Sequence, residues 1–215
     1  MGRLRDLPGP CRWRRGTLIA VRSAARSTKP RELTLEQWAE LDEDEPGELV
    51  DGRLEDEETP TFLHEAVVSW LIRVLGVWAS VRGGWVFGSE CKYAIRPRRG
   101  RKPDVSVYLK GAKTPARGAS LARVPPSIAI EVISSRPRDA RRDRVDKLHD
   151  YKAFGVRYYW LIDPAVRTLE VLRLSRAGVK LVLAASEGRH TPPGCTGLTL
   201  DLDALWAEMD RLPAE

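Results

Sequence analysis

The sequence predicts an α/β fold, in which a mixed β-sheet is flanked by helices. A short helix near residue 34 and a long helix at 61–81 precede several strands, and a helix at 139–154 precedes several more. This order is typical of helices that pack on the faces of one sheet. A length of 215 residues with 42% hydrophobic side chains suffices for one domain with a sizeable core.

The N-terminal part of this domain is predicted from its cap, turn and helix signals. Thr34-Leu-Glu-Gln37 matches a capping box, so a short helix begins there. Residues 48–54 form two strands joined by an Asp51-Gly52 turn. Gly83-Gly84 ends the long helix at 61–81. Its apolar residues recur at helical spacing: Val67, Trp70, Leu71, Val74, Leu75 and Trp78.

Short β-rich runs follow the long helix. Residues 85–89, 91–95 and 104–109 are predicted as successive strands, and the last two are joined by a turn at 97–100. Pro103 suits the start of the third strand, because proline donates no ladder hydrogen bond. Residues 110–124, which are small and basic, are predicted as a loop.

The run at 125–134 predicts a strand that carries a buried acid. Side chains alternate between the two faces of a strand, so Glu131 shares a face with Ala129 and Ile133, while Ile128, Ile130 and Val132 share the other. An unpaired carboxylate there would cost several kcal/mol or take up a proton. Glu131 therefore needs a cation, a donor or open water.

The helix at 139–154 has Asp139 as its predicted N-cap and Gly155 as its C-terminal stop. Asp143, Lys147 and Tyr151 are spaced by four residues and share one face. Lys147 on this face would hold a phosphate oxygen or an attacking hydroxide beside two acids. The alternative is an ordinary Asp143–Lys147 helix ion pair, worth about 0.3–0.5 kcal/mol.

The C-terminal third is predicted as three strands and a final helix. The strands span 158–162, 168–174 and 180–184, with turns at Asp163-Pro164 and Ala177-Gly178, and the helix spans 203–211. The aromatic run Tyr158-Tyr159-Trp160 is favoured as core packing, with a base-stacking platform as the alternative.

The order of Asp104, Glu131 and Lys147 suits phosphodiester cleavage. Mg²⁺ or Mn²⁺ prefers oxygen donors, so Asp104, Glu131 and the Val132 carbonyl form a plausible ligand set, and Lys147 stabilises the developing charge. Two alternatives are a module that keeps the fold without the chemistry and binds DNA or a protein, and a glycosidase-like carboxylate pair. The glycosidase alternative leaves Lys147 without a role.

The net charge of +6 is unevenly distributed. Residues 1–31 carry net +8, residues 32–65 net −13 and residues 66–215 net +11. The predicted DNA contacts are therefore the basic side chains that flank the triad: Arg99, Arg101, Lys102, Arg138 and Arg141. Such charge runs are equally often solvated faces.

The remaining features concern the tail and the compartment. Residues 1–31 are predicted as a disordered basic tail and residues 32–215 as one nuclease domain. The three cysteines are far apart and form no CxxC pair, which favours the reducing cytoplasm and predicts neither a zinc site nor a disulfide. No stretch is expected to reach the roughly 18 apolar residues that a membrane span requires.

Several motifs resemble the Uma-type restriction endonuclease family, a branch of the PD-(D/E)XK nuclease superfamily. The resemblance spans about residues 32–205 and is most specific from Ile130 to Pro164. The matching segments are Glu48-Leu-Val-Asp-Gly-Arg-Leu54, His64, Lys102-Pro-Asp-Val105, Ile130-Glu-Val-Ile-Ser-Ser135, Asp143-Arg-Val-Asp-Lys147 with Tyr151, and Gly155-Val-Arg-Tyr-Tyr-Trp-Leu-Ile-Asp-Pro164.

The resemblance implies a restriction-endonuclease-like core that cleaves DNA with a divalent metal. It implies that Asp104 and Glu131 bind the metal, that Glu48 completes the site and that His64 reaches toward it. Ile133 stands where the parent motif has lysine, so Lys147 on the following helix takes that role. Tyr158 replaces a usual glutamate. A homodimer is expected, because one such site cuts one strand.

Overall fold

The computed structural model describes residues 32–41, 47–56, 59–134 and 141–213. Four α-helices lie in these ranges, and the sequence predicted all of them. Thr34 caps the first through a capping box with Gln37, and Thr61 caps the second by accepting the His64 N–H. The helices are α1 (Leu35–Ala39), α2 (Phe62–Ser80), α3 (Leu148–Phe154) and α4 (Leu202–Met209).

A mixed six-stranded sheet forms the centre of the fold. Its order is β10-β9-β8-β7-β6-β3, and β7 and β8 are its parallel pair, while the other neighbours are antiparallel. The strands are β3 (Trp85–Phe87), β6 (Val105–Tyr108), β7 (Ile128–Val132), β8 (Tyr158–Asp163), β9 (Thr168–Ser175) and β10 (Gly178–Ala185).

A second sheet of four short strands has the order β2-β1-β5-β4. Asp51 and Gly52 both have positive φ, which forms the tight turn predicted between β1 and β2. The strands are β1 (Glu48–Val50), β2 (Arg53–Glu55), β4 (Tyr93–Arg96) and β5 (Arg99–Arg101); β11 (Arg189–His190) and β12 (Leu200–Asp201) form a separate pair.

The two faces of the six-stranded sheet pack against different helices. Ile128, Ile130 and Val132 of β7 join the core that includes α2 and α4, whereas Ala129 and Ile133 join the core that includes Tyr151 of α3. The predicted alternation along β7 is therefore confirmed. Glu131 lies on the α3 face of the sheet.

The segment before α3 is a π-helix, Arg142–Lys147, that continues directly into α3. Gly155 ends the helix with a φ of 102°, as predicted. The predicted cap Asp139 lies outside the described residues. π-Helical turns are frequent at functional sites, and this one carries Asp143 and Lys147.

Three expectations from the sequence need correction. The turn at Pro97-Arg98 joins β4 to β5 in the second sheet and does not join two strands of the main sheet. β5, with the sequence Arg-Gly-Arg, was not predicted. The third is the expectation that no stretch is long and apolar enough for a membrane span. By length and composition alone α2 is such a stretch, with a mean hydropathy of 1.4. Its buried face lies against the main sheet.

Candidate active site

Asp104 and Glu131 are brought together by the pairing of β6 with β7. Val105 lies opposite Ile130, so the residue before β6 lies beside the end of β7. The Val132 N–H donates to Asp104 Oδ2 at 2.7 Å. This bond fixes the first acid against the strand that carries the second.

Lys147 enters the same site from the π-helix. Its Nζ lies 2.8 Å from Glu131 Oε2, 3.3 Å from Asp143 Oδ1 and 3.8 Å from Glu48 Oε1. The Tyr151 hydroxyl donates to Glu131 Oε1 at 2.7 Å. The predicted helical face of Asp143, Lys147 and Tyr151 therefore meets Glu131, so Lys147 makes more than a helix ion pair.

The charges in this buried cluster shift the pKa values of its members. Burial raises the pKa of Glu131 well above its ordinary value; Lys147 opposes this rise, and the carboxylates of Asp104 and Asp143 add to it. Burial works against the Lys147 ammonium, yet Glu131 and Glu48 raise its pKa well above the usual value. The Lys147 ammonium therefore persists, whereas burial favours the neutral form of the Glu131 carboxyl.

Asp143 is a fourth acid of this cluster, beside Glu48, Asp104 and Glu131. Burial raises its pKa, and Lys147 opposes the rise. Its Oδ1 is buried and approaches Lys147 without accepting a hydrogen bond of good geometry. The sequence placed Asp143 on the correct face but assigned it no role in catalysis.

Glu48 lies behind Lys147 in a buried network of ion pairs. Arg101 donates to Glu48 Oε2 at 2.6 Å, and the Lys102 N–H donates to Oε1 at 2.8 Å. Burial tends to raise the pKa of Glu48, but Lys147 and Arg101 hold it below the usual value. Both Glu48 oxygens are thus engaged, which suits positioning of Lys147 better than a metal ligand.

His64 reaches the site from the first turn of α2. Its Nε2 lies 3.3 Å from Asp104 Oδ2. Burial favours the neutral imidazole, but the hydrogen bond and charge of Asp104 raise the pKa of His64 overall. In return, burial tends to raise the pKa of Asp104, and His64 holds it below its usual value.

A groove of about 1180 Å³ opens over these side chains. Asp104, Glu131, Asp143 and Lys147 line its polar floor. Glu48 does not line it, in agreement with a place behind Lys147. A ligand at this floor would therefore meet three acids and one ammonium.

The predicted DNA contacts occupy different environments. Arg101 is 1% exposed and pairs with Glu48 and Asp150, so its interpretation as a phosphate contact is corrected: it is a buried structural cation. Arg99 donates hydrogen bonds to Asp51 and Asp150. Lys102 lines the groove and forms an ion pair with Glu90. Arg141 is exposed, and Arg138 lies outside the described residues.

The donor set fits a hard divalent cation in chemistry. Asp104 and Glu131 offer carboxylate oxygens and Val132 offers a carbonyl oxygen, and these are donors that a hard divalent cation prefers. Across the described part of the chain, no group of three or more His, Cys, Asp or Glu residues has the geometry of a metal centre. Tyr151 and Lys147 occupy the two Glu131 oxygens instead.

The fold is similar to that of a solved protein described as a putative nuclease belonging to DUF820 from Anabaena variabilis ATCC 29413. The match covers 82% of this chain and 99% of that chain, with a TM-score of 0.65 and 20% sequence identity. The fold and site thus define a mixed α/β protein with a nuclease-like fold. No protein of curated function matches the sequence significantly.

The chain belongs to the Uma2 family, described as putative restriction endonuclease, whose model matches residues 33–204. The predicted family resemblance and fold class are therefore confirmed.

Two features of the site were missed in the sequence. Asp150 accepts hydrogen bonds from Arg99 and Arg101. The sequence gives no signal of this pairing, because the two arginines are about 50 residues away and Asp150 differs from Lys147 by only three positions on the same helical segment. The buried role of Arg101 was hidden because a cluster of arginines before Asp104 is also typical of a phosphate-binding surface. Its neighbour Gly100 was a usable signal, because a strand glycine marks close packing.

Proposed function

We propose that the chain is a divalent-metal-dependent endonuclease that hydrolyses phosphodiester bonds in DNA. One observation carries this proposal: Asp104, Glu131 and Lys147 come from three separate elements and converge on the floor of one groove. Family membership supports a nuclease, and the two acids with a lysine supply the groups that phosphodiester hydrolysis requires.

Asp104, Glu131 and the Val132 carbonyl would hold Mg²⁺ or Mn²⁺. When bound, the cation would supply Lewis-acid stabilisation of the phosphate and lower the pKa of a coordinated water. The Val132 N–H and His64 orient the Asp104 carboxylate, and Tyr151 orients that of Glu131. Hydrogen bonds from groups that do not themselves touch the metal fix the direction of a ligand oxygen.

Lys147 supplies the positive charge of the chain itself. Its ammonium lies 2.8 Å from Glu131 and lines the groove, so it is placed to meet a phosphate oxygen beside the acids. Glu48 pairs with this ammonium from β1, on the side away from the groove, and Asp143 pairs with it from the same π-helix. This arrangement stabilises charge that develops on the phosphate in the transition state.

DNA is the proposed partner, and the exposed Arg141, the groove residue Lys102 and Arg138, which lies outside the described residues, are the candidates for phosphate contact. A homodimer is proposed because one site cuts one strand. The cytoplasm is the proposed location, in keeping with the free Cys91 and Cys195 in the described ranges.

The test is cleavage of plasmid and single-stranded DNA in Mg²⁺, in Mn²⁺ and in EDTA. Asp104→Asn should lower the rate at least about 10²-fold, because it removes a charged oxygen from the reacting centre. The matched control is Asp146→Asn, an exposed acid on the same turn as Lys147. Undiminished cleavage by Asp104→Asn, or cleavage in EDTA, contradicts the proposal.

A catalytically inactive binding module is the second candidate. The observation that favours it is the engagement of both Glu131 oxygens by Lys147 and Tyr151. Calorimetric titration separates the two candidates. Binding of Mg²⁺ or Mn²⁺ that is lost in Asp104→Asn supports the nuclease, whereas an absence of metal binding with DNA present supports the module.

A further inference from the structure

The groove has an apolar side that the chemistry of the acids does not use. Phe62 and Leu63 at the start of α2 line it beside His64, and Trp206, Met209 and Leu212 line it near the C-terminus. Phe62 is 89% exposed, the highest fraction among the large hydrophobic side chains that the structure describes as exposed. An aromatic ring is thus presented to solvent at the mouth of the groove.

The position of Phe62 in the groove distinguishes it from Trp85, another exposed aromatic residue. Trp85, 60% exposed, lies on β3 away from this groove and stacks on Phe87. Phe62 has no ring partner among the described aromatic contacts and lies two residues before His64, which contacts Asp104. Because Phe62 and Asp104 line the same groove, the Phe62 ring is available to a ligand whose reacting group lies at Asp104.

The charges of the groove limit how such a ligand is held. Its lining includes four Lys or Arg side chains, and ion pairs with groove acids engage Lys102 with Glu90, Lys147 with Glu131 and Asp143, and Arg167 with Asp210. The lining acids are Glu65, Glu90, Asp104, Glu131, Asp143 and Asp210. Acids thus outnumber these cations, so phosphate neutralisation alone accounts poorly for nucleic-acid binding here.

We infer that Phe62 and the apolar side of the groove bind an unpaired nucleobase next to the scissile phosphate, so that the substrate is single-stranded or locally unpaired DNA. This inference rests on the proposed nuclease function. In a duplex the base faces are covered by their neighbours, and an aromatic side chain reaches one only where the strand is single or a base is flipped out.

The inference is tested by measuring the affinity for labelled oligonucleotides of one sequence, supplied either as a single strand or as a blunt duplex. Every protein in this experiment carries Asp104→Asn, which prevents cleavage. Phe62→Ala should weaken binding of the single strand about 5- to 140-fold and leave duplex binding unchanged. Phe62→Trp should retain the affinity, because it keeps a stacking face. Trp85→Ala is the control, since it removes an exposed aromatic residue outside the groove.

The cleavage and binding results separate this inference from the proposed function. If the protein with Asp104 intact cuts no DNA, the nuclease proposal fails. The ratio of the single-strand affinity to the duplex affinity then still tests whether the groove binds an unpaired base. If it cuts DNA but binds the duplex as tightly as the single strand, or if Phe62→Ala behaves like Trp85→Ala, this inference alone is overturned.

Discussion

Lys147 joins carboxylates from three parts of the fold, because its Nζ approaches Glu131 of β7, Glu48 of β1 and Asp143 of its own turn. All four side chains are nearly fully buried. Removing one member of a buried ion cluster costs more than the pair contributes, because the partners keep their desolvation penalty. Lys147 therefore affects both the chemistry and the stability of the domain.

Lys147→Met should lower the free energy of unfolding by about 3–5 kcal/mol at neutral pH and abolish cleavage. The loss should be smaller at acidic pH, because the carboxyls left without the ammonium then take up protons. Urea unfolding at several pH values measures both effects. Lys152→Met on α3 is the control, and equal stability of the two variants contradicts the assigned role of Lys147.

Glu131→Gln tests the raised pKa of that carboxyl. Folding raises its pKa above the unfolded value of about 4.3, so the folded state favours the protonated form. Wild-type stability therefore falls as the pH rises through the window between the two values, and the glutamine variant lacks this loss. The advantage of Glu131→Gln in unfolding free energy should grow from pH 4 to neutral pH, while cleavage falls at least about 10²-fold.

Unfolding titrations of both proteins across this pH range measure that difference. A parallel dependence on pH would mean that Glu131 titrates normally in the folded protein.

At the scale of elements, the second sheet connects the site to α1. β1 carries Glu48, β5 carries Arg101, and Leu49 lies opposite Gly100 in their pairing. A Cβ on Gly100 would lie 2.2 Å from Trp38 Cζ3, so the ring of α1 packs directly on the β5 backbone. The ion pairs behind Lys147 thus depend on the packing of Trp38.

Gly100→Ala should destabilise the domain by about 1–3 kcal/mol, because the added methyl group displaces the Trp38 ring. Cleavage should also fall, since β5 carries Arg101 toward Glu48. Gly118→Ala is the matched control, because its Cβ would meet no atom within 4 Å. Thermal unfolding with a cleavage assay checks both effects, and near-identical behaviour of the two variants contradicts the coupling.

Elements with strong local signals were predictable from the sequence. The capping box at Thr34, the Asp51-Gly52 turn and the alternation around Glu131 each report short-range geometry. β5 was not predictable, because Arg-Gly-Arg lacks β-branched and aromatic residues and forms a strand only between β1 and β4. The π-helical turn likewise has no local signature.

Across the whole molecule, the positions of the charged side chains say more about ligand binding than the net charge does. The net charge of +6 is smaller than the +8 of residues 1–31, and the lining of the groove is acidic. The sequence located the three reacting side chains from their order. The burial of Arg101 depends on partners about 50 residues away, Glu48 and Asp150, which no local pattern shows.

An acidic groove that binds a divalent cation should make the stability of the domain depend on metal. A ligand that binds only the folded state stabilises it by about 2.7 kcal/mol at 100 times its Kd, which corresponds to a Tm increase of about 5–11 °C at this chain length. Asp104→Asn should lose most of the increase, because it removes a proposed ligand oxygen from the site.

Calorimetric melting in a series of MgCl₂ concentrations at constant ionic strength measures this dependence. Asp146→Asn should keep the wild-type increase, since its exposed carboxyl lies outside the buried cluster. An equal increase in Asp104→Asn would place the stabilising cation elsewhere on the protein. The increase should become larger as the pH rises, because burial raises the pKa of Glu131 and of Asp143 and both carboxyls lose their protons only at a higher pH than usual.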